Sequence, residues 1–299
     1  MSLHRLQPGD LIGVIAPSGP VAPAVLPAVQ ALYARWGWKV RLYPGCWANT
    51  GYLAGPDTLR LADLHAALAD DTVAAIHCLR GGYGTMRLLD AVDTALVRSK
   101  PKLLIGYSDI TALHALWAQQ GLPSLHAPMP ASDLVKPGRE ADEQALVEVL
   151  RHGLAEGTVL TPALEPGGPH VPGRAEGVLV GGNLSLVASL LGTPWAWDLR
   201  GAILFLEDVS EEVYRVDRYL TQLRLAGALD AVAGVVLGSF TEEASPIGLL
   251  KDMLEPLGKP LLSGWPTGHG TPNRPLPMGL RVALDATAGT LTMRQTLLA

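Results

Sequence analysis

The chain alternates two hydrophobic rhythms through its first half. Short, nearly continuous apolar runs occur at LIGVIAP (11–17), WKVRLYP (38–44), TVAAIHCL (72–79) and KLLIG (102–106). Between them, APAVLPAVQALYARWG (22–37), DTLRLADLHAALAD (57–70) and SDITALHALWAQQ (108–120) place apolar residues three and four apart, which predicts amphipathic helices. Strands covered by helices on both faces read as unbroken apolar runs, so the alternation predicts βαβ units around a parallel sheet. In such sheets ligands bind beyond the C-terminal ends of the strands.

The rhythm is lost between 151 and 175, RHGLAEGTVLTPALEPGGPHVPGRA, where Pro and Gly crowd together. A linker is expected there, dividing the chain into an N-terminal α/β domain over 1–150 and a smaller α/β domain over 176–299. The second part resumes with strands at GVLVGG (177–182), AILFLED (202–208) and AGVVLGSF (233–240). Helices are expected at NLSLVASLLG (183–192) and EEVYRVDRYLTQLRLAG (211–227), and LRVALDATAGTLTM (280–293) reads as two strands joined by a turn.

Composition narrows the function classes. Of 299 residues 48% are hydrophobic and 17% charged, enough apolar material for one large or two medium cores. The formal net charge of -5, with no run of Lys or Arg, argues against nucleic acid as a partner. The N-terminal apolar run is far too short to span a bilayer and carries no cleavable signal pattern, so a cytoplasmic protein without membrane association is expected. Cys46 and Cys78 suit a reducing compartment, and with no clustered His they cannot build a structural metal site; neither metal nor cofactor is expected.

Candidate chemistry centres on GYSDIT (106–111). Ser108 falls on a strand-to-helix turn, which would expose its hydroxyl and aim free backbone N–H groups at a reacting centre. The competing role is a helix N-cap, and Ile110 occupies the second glycine position of the usual nucleophile-elbow pattern. A serine nucleophile needs a base and the base a carboxylate. His4 and His152 lie in terminal or polar contexts, His65 and His114 are mid-helix, and His77 is inside an apolar strand; among the others, His126 and His269 are the candidates. His269, between Gly268 and Gly270, sits where other backbone can approach closely. Glu207 ends the run GAILFLE, where a strand-terminal carboxylate could orient an imidazole.

Gly81, Gly82 and Gly84 follow the strand VAAIHC and could converge N–H groups on an oxyanion, or simply make a tight turn. Arg80 beside them is a candidate for a substrate carboxylate, with a surface arginine as the alternative. Asn183 either caps a helix or faces a ligand. Cys78 is a rival nucleophile, weakened by its place in an apolar strand.

Seven blocks in order, GDLIGVIAPSGP (9–20), RGGYGTMRLL (80–89), IGYSDITALH (105–114), HAPM (126–129), GGNLSLVASLLGTPW (181–195), FLEDVSEEVYRVDRYLTQL (205–223) and GHGTPNRPLPMG (268–279), closely resemble the LD-carboxypeptidase family of serine peptidases. The resemblance implies catalytic roles for Ser108, Glu207 and His269; with that triad, the oxyanion is expected on the backbone N–H groups of Gly82 and Asp109. It also implies an N-terminal domain carrying the serine, a C-terminal domain carrying Glu and His, a site at their interface and a homodimer. The implied substrate is a muramoyl tetrapeptide, cut between the L-centre of a diamino acid and its terminal D-alanine during cell-wall recycling. One branch of the family instead cleaves microcin C-type peptidyl nucleotides. The absence of a clear aromatic within 151–175, where that branch carries a specificity loop, favours the carboxypeptidase branch.

Overall fold

A computed structural model describes residues 3–162, 166–241 and 245–299. In chain order the first half forms β1 (Leu11–Ile15), α1 (Leu26–Arg35), β2 (Lys39–Leu42), α2 (Asp57–Ala69), β3 (Val73–Cys78), α3 (Thr94–Ser99), β4 (Leu103–Gly106), α4 (Thr111–Gln119), β5 (Ser124–His126) and α5 (Glu140–His152). There follow β6 (Val159–Leu160), β7 (Arg174–Asn183), α6 (Leu184–Leu190), β8 (Ile203–Val209), α7 (Val213–Leu225), α8 (Ala228–Ala231), β9 (Gly234–Thr241) and α9 (Ile247–Leu254). The chain closes with β10 (Leu261–Leu262), β11 (Leu276–Met278), β12 (Arg281–Asp285) and β13 (Thr290–Met293). Among the described residues no helix is long and apolar enough to cross a membrane.

The protein is a mixed α/β molecule of two domains, each built on its own sheet. The first sheet runs β2-β1-β3-β4-β5-β11, parallel except for β11. Every residue of β4 is buried, as are five of the six in β3, in keeping with apolar runs covered on both faces. Strand order reverses between β1 and β3, so the loops leaving these strands diverge and open a crevice at their C-terminal ends. The loops after β1, β3 and β4 all border it. The second sheet runs β10-β9-β8-β7-β12-β13-β6, with β10 to β7 parallel and the rest antiparallel.

Two features depart from the sequence pattern. The stretch 151–175 is stitched to the second sheet: β6 pairs with β13, Leu154 bridges Leu297 and Val171 bridges Leu261. Its centre, 163–165, lies outside the described residues. Secondly, β11 leaves the C-terminal half to pair antiparallel with β5, Leu276 opposite His126, and the chain returns at once through Gly279, whose N–H donates to Leu179 O. Three-residue strands such as β5 and β11 are too short for a period of two to show.

The two sheets are joined at α4, which packs on β7 and α6. At this joint a side chain on Gly182 would collide with Thr111, its Cβ 2.5 Å from Oγ1, while Asn183 N–H donates to the same oxygen. Trp117 on α4 is fully buried, and its Nε1 donates to Lys102 O at 3.0 Å. Trp117→Ala therefore leaves a large cavity and an unpaired carbonyl. Urea unfolding should show a loss of about 3–5 kcal/mol, and a loss under about 1 kcal/mol would mean that the packing of this tryptophan contributes little.

Candidate active site

Ser108 follows Gly106 by two residues, at the C-terminal end of β4. Tyr107 is extended and is the N-cap of a short 3-10 turn, Ser108–Ile110, that runs directly into α4. Ser108 lies inside this turn at φ 65°, a left-handed conformation rare for a residue with a side chain. Its hydroxyl caps nothing, so the N-cap alternative does not describe it. Holding a non-glycine residue there costs on the order of 1–3 kcal/mol, which the surrounding packing must offset. That packing is visible at Gly81, where an added Cβ would stand 2.8 Å from Ser108 Cβ and 2.9 Å from Oγ. The turn is braced from below by Asp109, whose Oδ2 accepts from Ser18 Oγ at 2.6 Å and Thr85 N at 2.9 Å. One buried carboxylate thus ties together the loops after β1, β3 and β4.

Glu207 and His269 come from the second sheet. Glu207 is fully buried near the end of β8, opposite a bulge: Leu206 pairs with Leu237 and Asp208 with Phe240, leaving Gly238 and Ser239 across from it. Its Oε2 accepts from His269 Nδ1 at 2.7 Å and from His269 N at 3.2 Å. Burial alone would push the Glu207 carboxyl up, but the imidazole charge and hydrogen bonds outweigh it and hold the group well below its ordinary value. Burial likewise opposes charge on His269, yet the Glu207 carboxylate and its hydrogen bond win, and the imidazole pKa is raised. Because Nδ1 is committed to Glu207, the free ring nitrogen of His269 is Nε2.

The loop carrying His269 has little freedom. Gly268, at φ 116°, abuts the acid so closely that a Cβ would lie 2.6 Å from Glu207 Oε2. Gly270 N donates to Ser239 Oγ at 2.8 Å, and Gly268 N to Asn273 Oδ1 at 3.0 Å. From the start of α5, Asp142 Oδ1 accepts from Asn273 N at 2.8 Å, and Arg139 donates to Thr271 Oγ1. The imidazole itself packs against the Tyr107 ring, centroids 4.8 Å apart, and Tyr107 Oη donates to Asp133 Oδ1 at 2.9 Å.

Ser108 and His269 line one cavity of about 300 Å³ with Arg80, Gly81, Gly82 and Met129. Arg80 donates from Nε to Gly81 O and from Nη1 to Pro20 O, so it clamps the loops after β1 and β3 as well as facing the cavity. Asp109 contributes its position in the turn, with its side chain buried beneath. Asn183 is placed otherwise: it caps α6, donates from Nδ2 to Asp208 Oδ1 at 2.8 Å, and is not part of the cavity wall. Asp208, buried beside Glu207, is pushed up to about 7, first by burial and then by its neighbour's charge. Cys78 is buried within β3, where burial pushes its thiol far up and makes it a poor nucleophile.

Sequence reasoning passed over Tyr107, Asp133 and Arg139, which shape the wall around His269. Asp133 belongs to a single π-helical turn, Pro130–Leu134, that has no periodicity to betray it. Only the adjoining apolar strand of Tyr107 offered a hint.

Two family models match the chain: the LD-carboxypeptidase N-terminal domain over residues 12–127 and the LD-carboxypeptidase C-terminal domain over 176–284. A probable murein peptide carboxypeptidase of Bacillus subtilis is 40% identical, the match covering 94% of this chain and 90% of that protein. The crystal structure of muramoyltetrapeptide carboxypeptidase from Oxalobacter formigenes superposes with a TM-score of 0.83 at 30% identity, covering 97% of this chain and 99% of the other. The microcin C7 self immunity protein MccF, in complex with aspartyl sulfamoyl adenosine, shares the fold at a TM-score of 0.90 and 23% identity over 100% of both chains.

The Glu207–His269 pair makes a prediction independent of any activity. In an NMR titration His269 should lose its proton above its ordinary value of 6.5, because the raising influences exceed burial. In Glu207→Gln the two largest raising influences are lost and only the weaker ones of Asp208 and Asp133 remain against burial, so the same imidazole should titrate lower than in the wild type. An unchanged His269 in that variant would contradict the pairing.

Proposed function

The chain belongs to the LD-carboxypeptidase family, and on that premise we propose that it is a serine LD-carboxypeptidase using Ser108, Glu207 and His269. Its substrate in this reading is a muramoyl tetrapeptide, hydrolysed between the L-centre of a diamino acid and the terminal D-alanine in the recycling of cell-wall peptides. The observation that carries the reading is the 2.7 Å hydrogen bond from His269 Nδ1 to buried Glu207, which leaves Nε2 free on a residue that lines the same cavity as the strained Ser108.

His269 Nε2 takes the proton from Ser108 Oγ as the oxygen attacks the scissile carbonyl, and Glu207 stabilises the imidazolium that forms. The oxyanion is received by the backbone N–H groups of Gly82 and Asp109, each such donor lowering the barrier by about 3 kcal/mol. The imidazolium returns its proton to the leaving amine of D-alanine as the C–N bond breaks. Water, deprotonated by His269, then attacks the acyl ester, and the tetrahedral intermediate expels Ser108 Oγ, which recovers its proton. Arg80 supplies the charge for the terminal carboxylate through Nη2, since Nε and Nη1 already hold Gly81 and Pro20. On the family resemblance the reading also includes a cytoplasmic location and a homodimer, the latter checked by sedimentation.

Purified protein incubated with L-Ala-γ-D-Glu-meso-diaminopimelyl-D-Ala should release one alanine by mass spectrometry. Ser108→Ala should abolish release while leaving the circular dichroism spectrum unchanged; near-wild-type release by that variant would overturn the mechanism. Cleavage of a microcin C-type aspartyl-adenylate analogue in place of the tetrapeptide would keep the triad and change the substrate class. Gly268→Ala, which forces a methyl onto the Glu207 carboxylate, should lower kcat by about a hundredfold, and normal kcat would show that the loop has room to spare.

A further inference from the structure

Glu207 has two carboxylate oxygens, and the His269 loop accounts for one. Oε2 receives both His269 donors, whereas Oε1 is fully buried and has no hydrogen-bond partner among the described residues. Across from it stands His126, also fully buried, with Nε2 3.8 Å away. Neither ring nitrogen of His126 has a partner among the described residues. The other two buried histidines are satisfied at both nitrogens: His77 by Tyr33 Oη and Pro128 O, His114 by Ser124 Oγ and Gly106 O. His126 is thus unlike them, and its Nε2 faces the other unsatisfied atom.

An ionised oxygen buried without a donor costs several kcal/mol, and an idle buried imidazole costs about 1–3 kcal/mol more. The separation of 3.8 Å exceeds hydrogen-bond length by less than about 1 Å, so a small closure brings the two atoms into a hydrogen bond. The ring is held toward the acid by its neighbours. Phe205 packs edge-on at 5.1 Å between centroids, His114 stacks at 6.1 Å and Tyr107 lies at 5.6 Å. The contact also spans the two sheets: His126 ends β5, directly beside Gly106 of β4, while Glu207 belongs to β8.

We propose that His126 is a positioning residue whose Nε2–H donates to Glu207 Oε1, turning the carboxylate so that Oε2 faces His269 and tying the acid to the sheet that carries Ser108. The proposal rests on the reading of Glu207 and His269 as the pair that serves Ser108. It adds a second imidazole on the far side of the acid, one that never meets substrate. Its effect falls on the orientation of His269, and hence on kcat more than on KM.

The test combines histidine-selective 15N NMR with three variants. In the wild type, His126 should be the Nε2–H tautomer with a slowly exchanging proton, and that resonance should move in Glu207→Gln. His126→Phe should lower kcat by about a hundredfold with KM changed less than about twofold, and His126→Gln, which restores an N–H donor, should recover much of that loss. A wild-type His126 protonated at Nδ1 alone, or a folded His126→Phe with full kcat, would overturn the proposal. If His126→Phe does not fold, the wild-type tautomer and its response to Glu207→Gln decide the matter. Should the wild-type protein cleave no tetrapeptide, the proposed function fails, while the NMR arm still decides whether His126 holds Glu207.

Discussion

The structure around the candidate site depends on one constraint: a carboxylate buried at the end of a parallel strand must find charged or hydrogen-bonding partners or cease to be ionised. Glu207 is removed from water entirely, and breaking such a pair leaves an uncompensated charge at a cost of about 3–5 kcal/mol. Its partner, His269, is supplied by a loop with no regular structure of its own. That loop can approach only because Gly268 has no side chain and because Ser239, in the β8–β9 bulge, provides an acceptor for Gly270 N–H. The bulge, the glycine and the ion pair therefore form one device, and each member makes sense only with the others.

A second carboxylate performs the same service on the opposite wall. Asp109 gathers Ser18 and Thr85 from neighbouring loops beneath the turn that carries Ser108. It is nearly fully buried, and burial raises its pKa even as its hydrogen bonds to Ser18, Thr85 and Gly84 pull it down. The strained φ of Ser108 persists because Gly81 packs against its side chain on one side and the 3-10 turn leads into a buried helix on the other. Strain at this position is stored by packing from three loops.

The sheets meet so that these two walls face each other. Contacts between β7 and α4, through Gly182, Asn183 and Thr111, set the distance, and β11 reaches from the C-terminal half to extend the first sheet. The start of α5 then braces the His269 loop through Arg139 and Asp142. Asn183 belongs to this framework: its amide caps α6 and satisfies Asp208, so its polarity is structural rather than part of the cavity wall.

The sequence alone was sufficient for whatever is local. Apolar runs of four to six residues specified β3 and β4, because a strand buried on both faces admits a polar side chain only where it finds partners, as His77 does in β3. Helices α1, α2, α4 and α7 showed the 3.6-residue period, and seven ordered motifs placed the chain in its family. Residues such as Ser108, Glu207 and His269 could be named because each sits at a punctuation point, a strand end or a glycine-flanked turn. What only the tertiary structure decided are relations between segments far apart in the chain. These include β11 beside β5, the pairing of 151–175 with the second sheet, and Tyr107, Asp133 and Arg139 around the imidazole. They also include the choice between a capping and a strained Ser108, and the unsatisfied His126 facing Glu207. None of these leaves a periodic trace, since a hydrogen bond across more than a hundred residues depends on where two loops end rather than on what either contains.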